Sequence, residues 1–194
     1  MARATPLPRT ERRAAIIAAA VKLLETNGPG LTTRQVAEAA GVAEGTLFRI
    51  FPTLDDLLAA AYEEYLSPRH LHELLDAVDL GDDLEAATAA AVRTVFAYLA
   101  SVHLAIHPVA GKAEQQSAPT RVAFESYRQR IVDLETWLNQ ALGRYADELA
   151  FPVASYARFL MTLSIGHFMR RQTTDSVPDI TRFALDGARR RTRQ

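Results

Sequence analysis

Residues 33–52 read TRQVAEAAGVAEGTLFRIFP, and their spacing decides how the chain begins to fold. Apolar side chains fall at Val36, Ala37, Ala40, Val42, Leu47 and Ile50, with Gly41 at the joint. Val36, Ala37 and Ala40 lie within one helical turn of one another, so they form the inner stripe of a short helix. A sharp turn between packed helices calls for left-handed backbone, which glycine adopts at little cost, and Gly41 therefore ends that helix. A second helix follows from about Ala43 to Phe51. Two short helices joined in this way make a helix-turn-helix, the layout in which the second helix enters the major groove of DNA.

The faces of the second helix sharpen this reading. At about 100° per residue, Leu47, Ile50 and Phe51 cluster on one side. Gly45, Phe48 and Arg49 cluster on the other, with Glu44 and Thr46 on the flanks. An exposed glycine inside a short helix costs about 1 kcal/mol relative to alanine. That cost makes sense where the backbone must come close to a phosphate or a base edge. Thr33 and Thr46 can bond phosphate oxygens, and Arg49 a phosphate or a guanine. The expected DNA-contacting set is Thr33, Arg34, Glu44, Gly45, Thr46, Phe48 and Arg49. Each also has an ordinary structural role open to it: Thr33 as a helix cap, Arg49 as a solvated charge, Glu44 as a carboxylate near a helix N-terminus. The glycine joint and the apolar template in one register favour the DNA reading.

Composition narrows the classes. With 194 residues, 48% of them hydrophobic, the chain can build one compact domain or two small ones. No apolar run is long enough to span a membrane, and MARATPLPRTERR has no apolar signal core, so a cytoplasmic location is expected. There is no cysteine, which removes disulfides, thiol catalysis and thiolate metal sites. The net charge of -1 conceals an asymmetry. Up to Leu54 the seven basic residues Arg3, Arg9, Arg12, Arg13, Lys22, Arg34 and Arg49 face only four acidic ones, Glu11, Glu25, Glu38 and Glu44. That is a modest positive footprint, fit for a DNA-binding head.

The rest of the chain reads as helix throughout, with no alternating strand pattern. Residues 1–8 form a flexible arm. A first helix runs from about Arg9 to Gly28 with Ile16, Ile17, Ala20, Val21 and Leu24 inward, and Thr32 or Thr33 caps the next one. Thr53 caps a helix reaching about Leu66, with Asp55 and Asp56 favourable to its dipole. A stretch from Arg69 to Leu80 closes at Gly81. A long alanine-rich helix from Asp82 to about Val102 carries Leu84, Ala87, Ala91, Val95, Tyr98 and Leu99, and a shorter segment from His103 to Gln115 is interrupted by Pro108 and Gly111. Long helices from Pro119 to about Tyr145 and from Val153 to Arg171 follow. The loop TTDSVPD then leads to a last short helix ending in Arg189, Arg190, Arg191 and Arg193.

The stretch RRAAIIAAAVKLLETNGPGLTTRQVAEAAGVAEGTLFRIFPTLDDLL resembles the DNA-binding domain of TetR-family transcriptional regulators. Its opening Arg and Ile-x-x-Ala-Ala helix, the glycine before a Thr-capped helix, and Ala-Gly-Val-x-x-Gly-Thr-Leu-Phe all match the family pattern. The resemblance implies an all-α fold: a three-helix helix-turn-helix domain at 9–66, with the motif at 33–52, followed at 67–194 by a helical bundle that binds a ligand and dimerises. Three positions depart from the family. Ala43 stands where a small hydroxyl residue commonly precedes the recognition helix, Ile50 where an aromatic or His is usual, and Leu54 where a Lys usually touches phosphate. Two polar phosphate contacts are thereby lost, so weaker nonspecific affinity is expected, or compensation from Arg9, Arg12, Arg13 or the arm.

Within the second domain, Phe96, Tyr98, His103, His107, Phe124, Tyr127, Trp137 and Phe168 mix aromatic and polar character on the middle helices, as pocket walls do and as ordinary cores also do. Phe96, His103, Phe124 and Tyr127 are the candidate ligand contacts. His103 and His107 have metal-ligand spacing, but Pro108 follows and no acidic third ligand sits at a matching offset, so neither metal nor cofactor is expected. The family places the dimer surface on the last two long helices. Residues 153–171 agree with that, being apolar nearly all round with Ala154, Ala157, Ser164 and Gly166 permitting close approach. No nucleophile–base–orienter set, carboxylate–His pairing or phosphate loop points to an enzyme. The expected function is a homodimeric, ligand-responsive repressor on a palindromic operator. The alternative is a protein of this fold acting as an interaction module or activator.

Overall fold

The computed structural model describes residues 8–28, 30–110, 117–171 and 177–188, the side chains of 104–110 and 171 excepted. The arm at 1–7, Gly111, the side chains of His107 and Pro108, and the arginines Arg189, Arg190, Arg191 and Arg193 fall outside the described residues. The fold is all-α, with no strand among the described residues. The helices are α1 (Arg9–Asn27), α2 (Thr33–Ala39), α3 (Glu44–Phe48), α4 (Leu54–Tyr65), α5 (Pro68–Asp76), α6 (Leu84–Ala110), α7 (Ala118–Leu142), α8 (Val153–Arg171) and α9 (Val177–Ala188), with a 3₁₀ helix at Gly143–Glu148. No helix among the described residues is long and apolar enough to cross a membrane.

The chain divides into two compact units, one of residues 1–67 with 102–127 and the other of 68–101 with 128–194. The core of the first unit is built from Ile16, Ala20 and Leu24 of α1, Val36 and Ala37 of α2, Leu47 of α3, Phe51, and Leu57, Ala61 and Tyr62 of α4, all buried. α1 is the common wall, packing against both α2 and α4. Burial pushes the Tyr62 hydroxyl up to about 12. Tyr65 rises to about 12 through its own burial first, then through the charges of Glu25 and Tyr62.

The second unit centres on the first turns of α6, where Leu84, Ala87, Ala91, Val95 and Phe96 are fully enclosed. Two threonines are enclosed with them, and each has a partner. Thr94 bonds back to the Ala90 carbonyl at 2.8 Å, and the Thr88 hydroxyl pairs with the Tyr156 hydroxyl of α8 at 3.1 Å. A buried hydroxyl needs such a partner, since one left alone costs about 1–3 kcal/mol. The loop before α6 turns at Gly81 with φ +67, its N–H donating to the Asp79 carboxylate at 2.9 Å. The Arg144 guanidinium donates to the Gly81 carbonyl and stacks 4.8 Å from the Tyr145 ring centre.

Four boundaries differ from expectation. α3 stops at Phe48 rather than Phe51, the chain closing in a turn where the Ile50 and Phe51 N–H groups share the Leu47 carbonyl at 2.9 and 2.8 Å. α5 starts on Pro68, whose missing N–H is harmless in a first turn, and stops at Asp76. α6 runs on to Ala110 as one helix, since Pro108 falls in its last turn and removes a single backbone bond there. α7 ends at Leu142, where Gly143 weakens the helix and the chain tightens into the 3₁₀ turn.

Candidate nucleic-acid interface

The motif is framed by caps. Thr32, not Thr33, is the N-cap of α2: its hydroxyl accepts from the Gln35 N–H at 3.3 Å, and the Gln35 side chain accepts from the Thr32 N–H at 2.9 Å. That reciprocal pair satisfies two of the donors a helix start leaves open. At the other end Gly41 has φ +66, its N–H reaching the Glu38 carbonyl at 3.1 Å and the Val42 N–H the Ala37 carbonyl at 2.9 Å. This is the paired closure of a Schellman turn, with glycine in the left-handed position. Thr53 caps α4 through Asp56 in the same reciprocal way.

Thr33, freed from capping, donates its hydroxyl to the Glu44 carboxylate at 2.6 Å. Two residues singled out as DNA contacts therefore bond to each other across the turn. Thr46 and Arg49 are also partners: the Arg49 Nη2 donates to the Thr46 hydroxyl oxygen at 3.0 Å. α3 carries no side-chain bond at its N-cap, Ala43, as the missing hydroxyl there implies.

Leu47 is fully buried and anchors α3, whereas Phe48 is 45% exposed and Gly45 and Arg49 face solvent. A Cβ built onto Gly45 meets nothing within 4 Å, so the protein's own packing does not require glycine there. Arg34 is exposed on α2. Beside α3 lies a recess of about 360 Å³ lined by Arg9, Arg12, Thr46, Arg49 and Ile50. Arg13 is turned elsewhere, its guanidinium 5.2 Å from the ring centre of buried Phe51. Leu54 is half-buried at the start of α4.

Residues 16–61, which hold this whole motif, match the model of the bacterial regulatory proteins of the tetR family. The head belongs to the TetR family. The remainder of the chain carries the TetR-regulator fold. A TetR transcription regulator from Haloarcula marismortui superposes with a TM-score of 0.68 at 17% identity, over 93% of this chain and 100% of that one. NalD, the secondary repressor of the MexAB-OprM multidrug efflux pump in Pseudomonas aeruginosa, gives 0.57 at 19%, over 94% and 100%. FadR from Bacillus subtilis, solved with stearoyl-CoA, gives 0.55 at 18%, over 90% and 98%. At these identities the likeness speaks for the fold.

The candidate ligand contacts fall in different places. Phe96 is fully buried in the second unit, 5.9 Å from Phe168 and edge-on to His167 at 6.3 Å. His103, Phe124 and Tyr127 belong to the first unit and are half-buried. Burial raises the Tyr127 hydroxyl above its ordinary value. Sequence reading passed over His167 as a ligand contact and valued Ser164 only for its size. Yet the Ser164 hydroxyl and His167 Nε2, three residues apart on α8, are buried with no hydrogen-bond partner among the described residues. The signal was there: polar residues on an otherwise apolar helix.

Proposed function

We propose that the chain is a homodimeric transcriptional regulator that grips a palindromic operator through two TetR-type heads and leaves it when a small hydrophobic ligand binds. The observation that carries this reading is the outward face of α3. There an unobstructed glycine, an exposed phenylalanine and an exposed arginine stand over a sealed leucine. Such a face costs stability unless it meets something, and the family of the head points to the DNA major groove.

Dimerisation rests on α8 and α9, rather than on the two long helices α7 and α8 that the sequence suggested. Phe159 is 47% exposed, Met169 47% and Phe183 72%, and Phe159 and Phe183 flank a groove of about 540 Å³ that also includes Gly166 and Ile180. A second copy related by a two-fold axis covers the same groove on both partners. Ligand control rests on the second unit, where the buried Ser164 hydroxyl and the buried Nε2 of His167, whose ring stands edge-on to Phe96, are offered to a mostly apolar molecule with a polar end. The reading is supported by FadR, a regulator of this fold solved with stearoyl-CoA, and by NalD, a repressor of the same fold. The ligand acts by preferring a state that no longer matches the operator, and its reach is bounded by that preference.

Sedimentation of the wild type and of Phe183→Asp, with gel shifts on a selected duplex in the presence of acyl chains and apolar drugs, tests the reading. A dimer that Phe183→Asp splits, and a shift that some apolar compound reverses, are expected. A wild-type monomer that binds DNA regardless of any compound would contradict it.

A further inference from the structure

A hydroxyl inside a helix commonly bonds back to the carbonyl one turn earlier. Thr94, Thr136, Thr162 and Thr181 all do so, at 2.8 or 2.9 Å. Ser164 of α8 does not. It is fully buried, and its hydroxyl meets no hydrogen-bond partner among the described residues. The His167 Nε2 is enclosed and unpartnered in the same way. Residues three apart on a helix are neighbours on one face, so both atoms can reach a single group. That face is turned to α6, where the Phe96 ring lies 6.3 Å from the His167 ring and 5.9 Å from Phe168. Leu160, one turn before Ser164, and Phe168, one turn after it, are buried, so the surroundings are apolar. Two unsatisfied polar atoms on such a face cost stability until something completes them. Among the described residues no carboxylate is buried, and the one buried cation, Arg130, is ion-paired with Asp133 at 2.8 Å. A charged head would enter this interior with no counter-charge waiting for it, and an anion would have to bring a proton to His167 with it. A neutral polar group meets no such cost.

We infer that Ser164 and His167 together hold the uncharged carbonyl oxygen of a mostly apolar molecule, an amide or an ester. That oxygen has two lone pairs: the Ser164 O–H donates to one, and the His167 Nε2–H, in that tautomer of the ring, donates to the other. An ammonium head has no acceptor to offer them, and a carboxylate carries a charge that nothing there balances. The inference rests on the ligand-responsive reading above and names the class of molecule, and the two fail differently.

The test melts the full chain at neutral pH with octanamide, methyl octanoate, octanoate or octylammonium, which share a chain and differ in head. The amide and the ester are expected to raise the melting temperature of the wild type, and the two ions to leave it unchanged. Ser164→Ala and His167→Phe should each weaken octanamide binding by about tenfold, the worth of one hydrogen bond. Without any compound, Ser164→Ala should melt no lower than wild type, since it removes a buried hydroxyl that has no partner. Should His167→Phe fail to fold, Ser164→Ala alone carries the test. Octanoate stabilising as strongly as octanamide would overturn the neutral head, and equal octanamide binding by wild type and Ser164→Ala would overturn the site. A Ser164→Ala that melts well below wild type without compound would mark a hydroxyl held by internal water, and would overturn the site too. Each of these results leaves a ligand-responsive regulator standing. So does stabilisation by none of the four when another apolar compound still releases the protein from DNA, which overturns the inference alone. If no compound stabilises or releases it, both readings fall.

Discussion

The Thr33 hydroxyl donates to the Glu44 carboxylate at 2.6 Å, joining the first residue of α2 to the first residue of α3 across the turn of the motif. Both helices are far too short to be stable alone, so their geometry depends on such ties and on packing. Glu44 gains a second favourable position, near the positive end of α3. The bond makes Glu44 part of the frame that aims α3, whatever else it touches.

Thr33→Val and Glu44→Ala should therefore each destabilise the head by about 1 kcal/mol, and the double variant by no more than one of them. Urea denaturation of the full chain measures this. Losses that simply add would show that the two side chains act independently.

Gly45→Ala separates folding from binding. With nothing within 4 Å of the added Cβ, the variant should be as stable as wild type or firmer by up to about 1 kcal/mol, since alanine favours helix. Its affinity for duplex DNA should fall all the same, because the methyl group stands between backbone and DNA. Equal stability with undiminished binding would remove Gly45 from the interface.

The two turn glycines should respond differently to alanine. Gly41, at φ +66 with open space around it, carries only the left-handed backbone penalty of about 1–2 kcal/mol. Gly81, at φ +67, adds a collision, since its Cβ would lie 2.6 Å from the Ala86 Cβ. Thermal unfolding should rank Gly81→Ala clearly below Gly41→Ala, and the reverse order would contradict the geometry at the α6 entry.

Alkali should unfold the protein through Tyr62 and Tyr65. Both hydroxyls titrate near 12 in the fold against 10 in the open chain, so between those values the unfolded chain has lost protons that the native one keeps. Stability contributed by these groups is full below pH 10 and falls as pH rises toward 12. Melting temperature followed over that range should drop, and Tyr62→Phe should flatten the drop. A variant with the wild-type profile would remove Tyr62 as a cause.

Much of this was legible in the residues themselves. Gly41 and the apolar register fixed the turn. Thr53 with Asp56 announced the start of α4, and the buried faces of α1 and α6 followed the helical period. The Thr33–Glu44 bond was not legible, because Thr32 and Thr33 are equally good caps on paper and only packing chose between them. α6 passed Val102 because a proline near a helix end does not stop it, a point that composition cannot reveal. The recess at Arg9, Arg12 and Arg49 was foreseen only as a need for compensation. Its membership depends on Arg13 turning to Phe51, a matter of three-dimensional neighbours. The buried Ser164 and His167 escaped notice as a pair, although two polar residues one turn apart on a largely apolar helix were a signal that could have been followed.

The central claim is that α3 reads DNA. Selection from a random-sequence duplex pool, followed by titration of the winning duplex with wild type, Arg49→Ala and Gly45→Ala, tests it most directly. The account predicts an enriched two-fold symmetric site with half-sites about 10 bp apart, or a multiple of that. It predicts a loss of about 1–3 kcal/mol for Arg49→Ala if that side chain meets a guanine. A pool that enriches no sequence, or folded variants that bind the winner as tightly as wild type does, would contradict it.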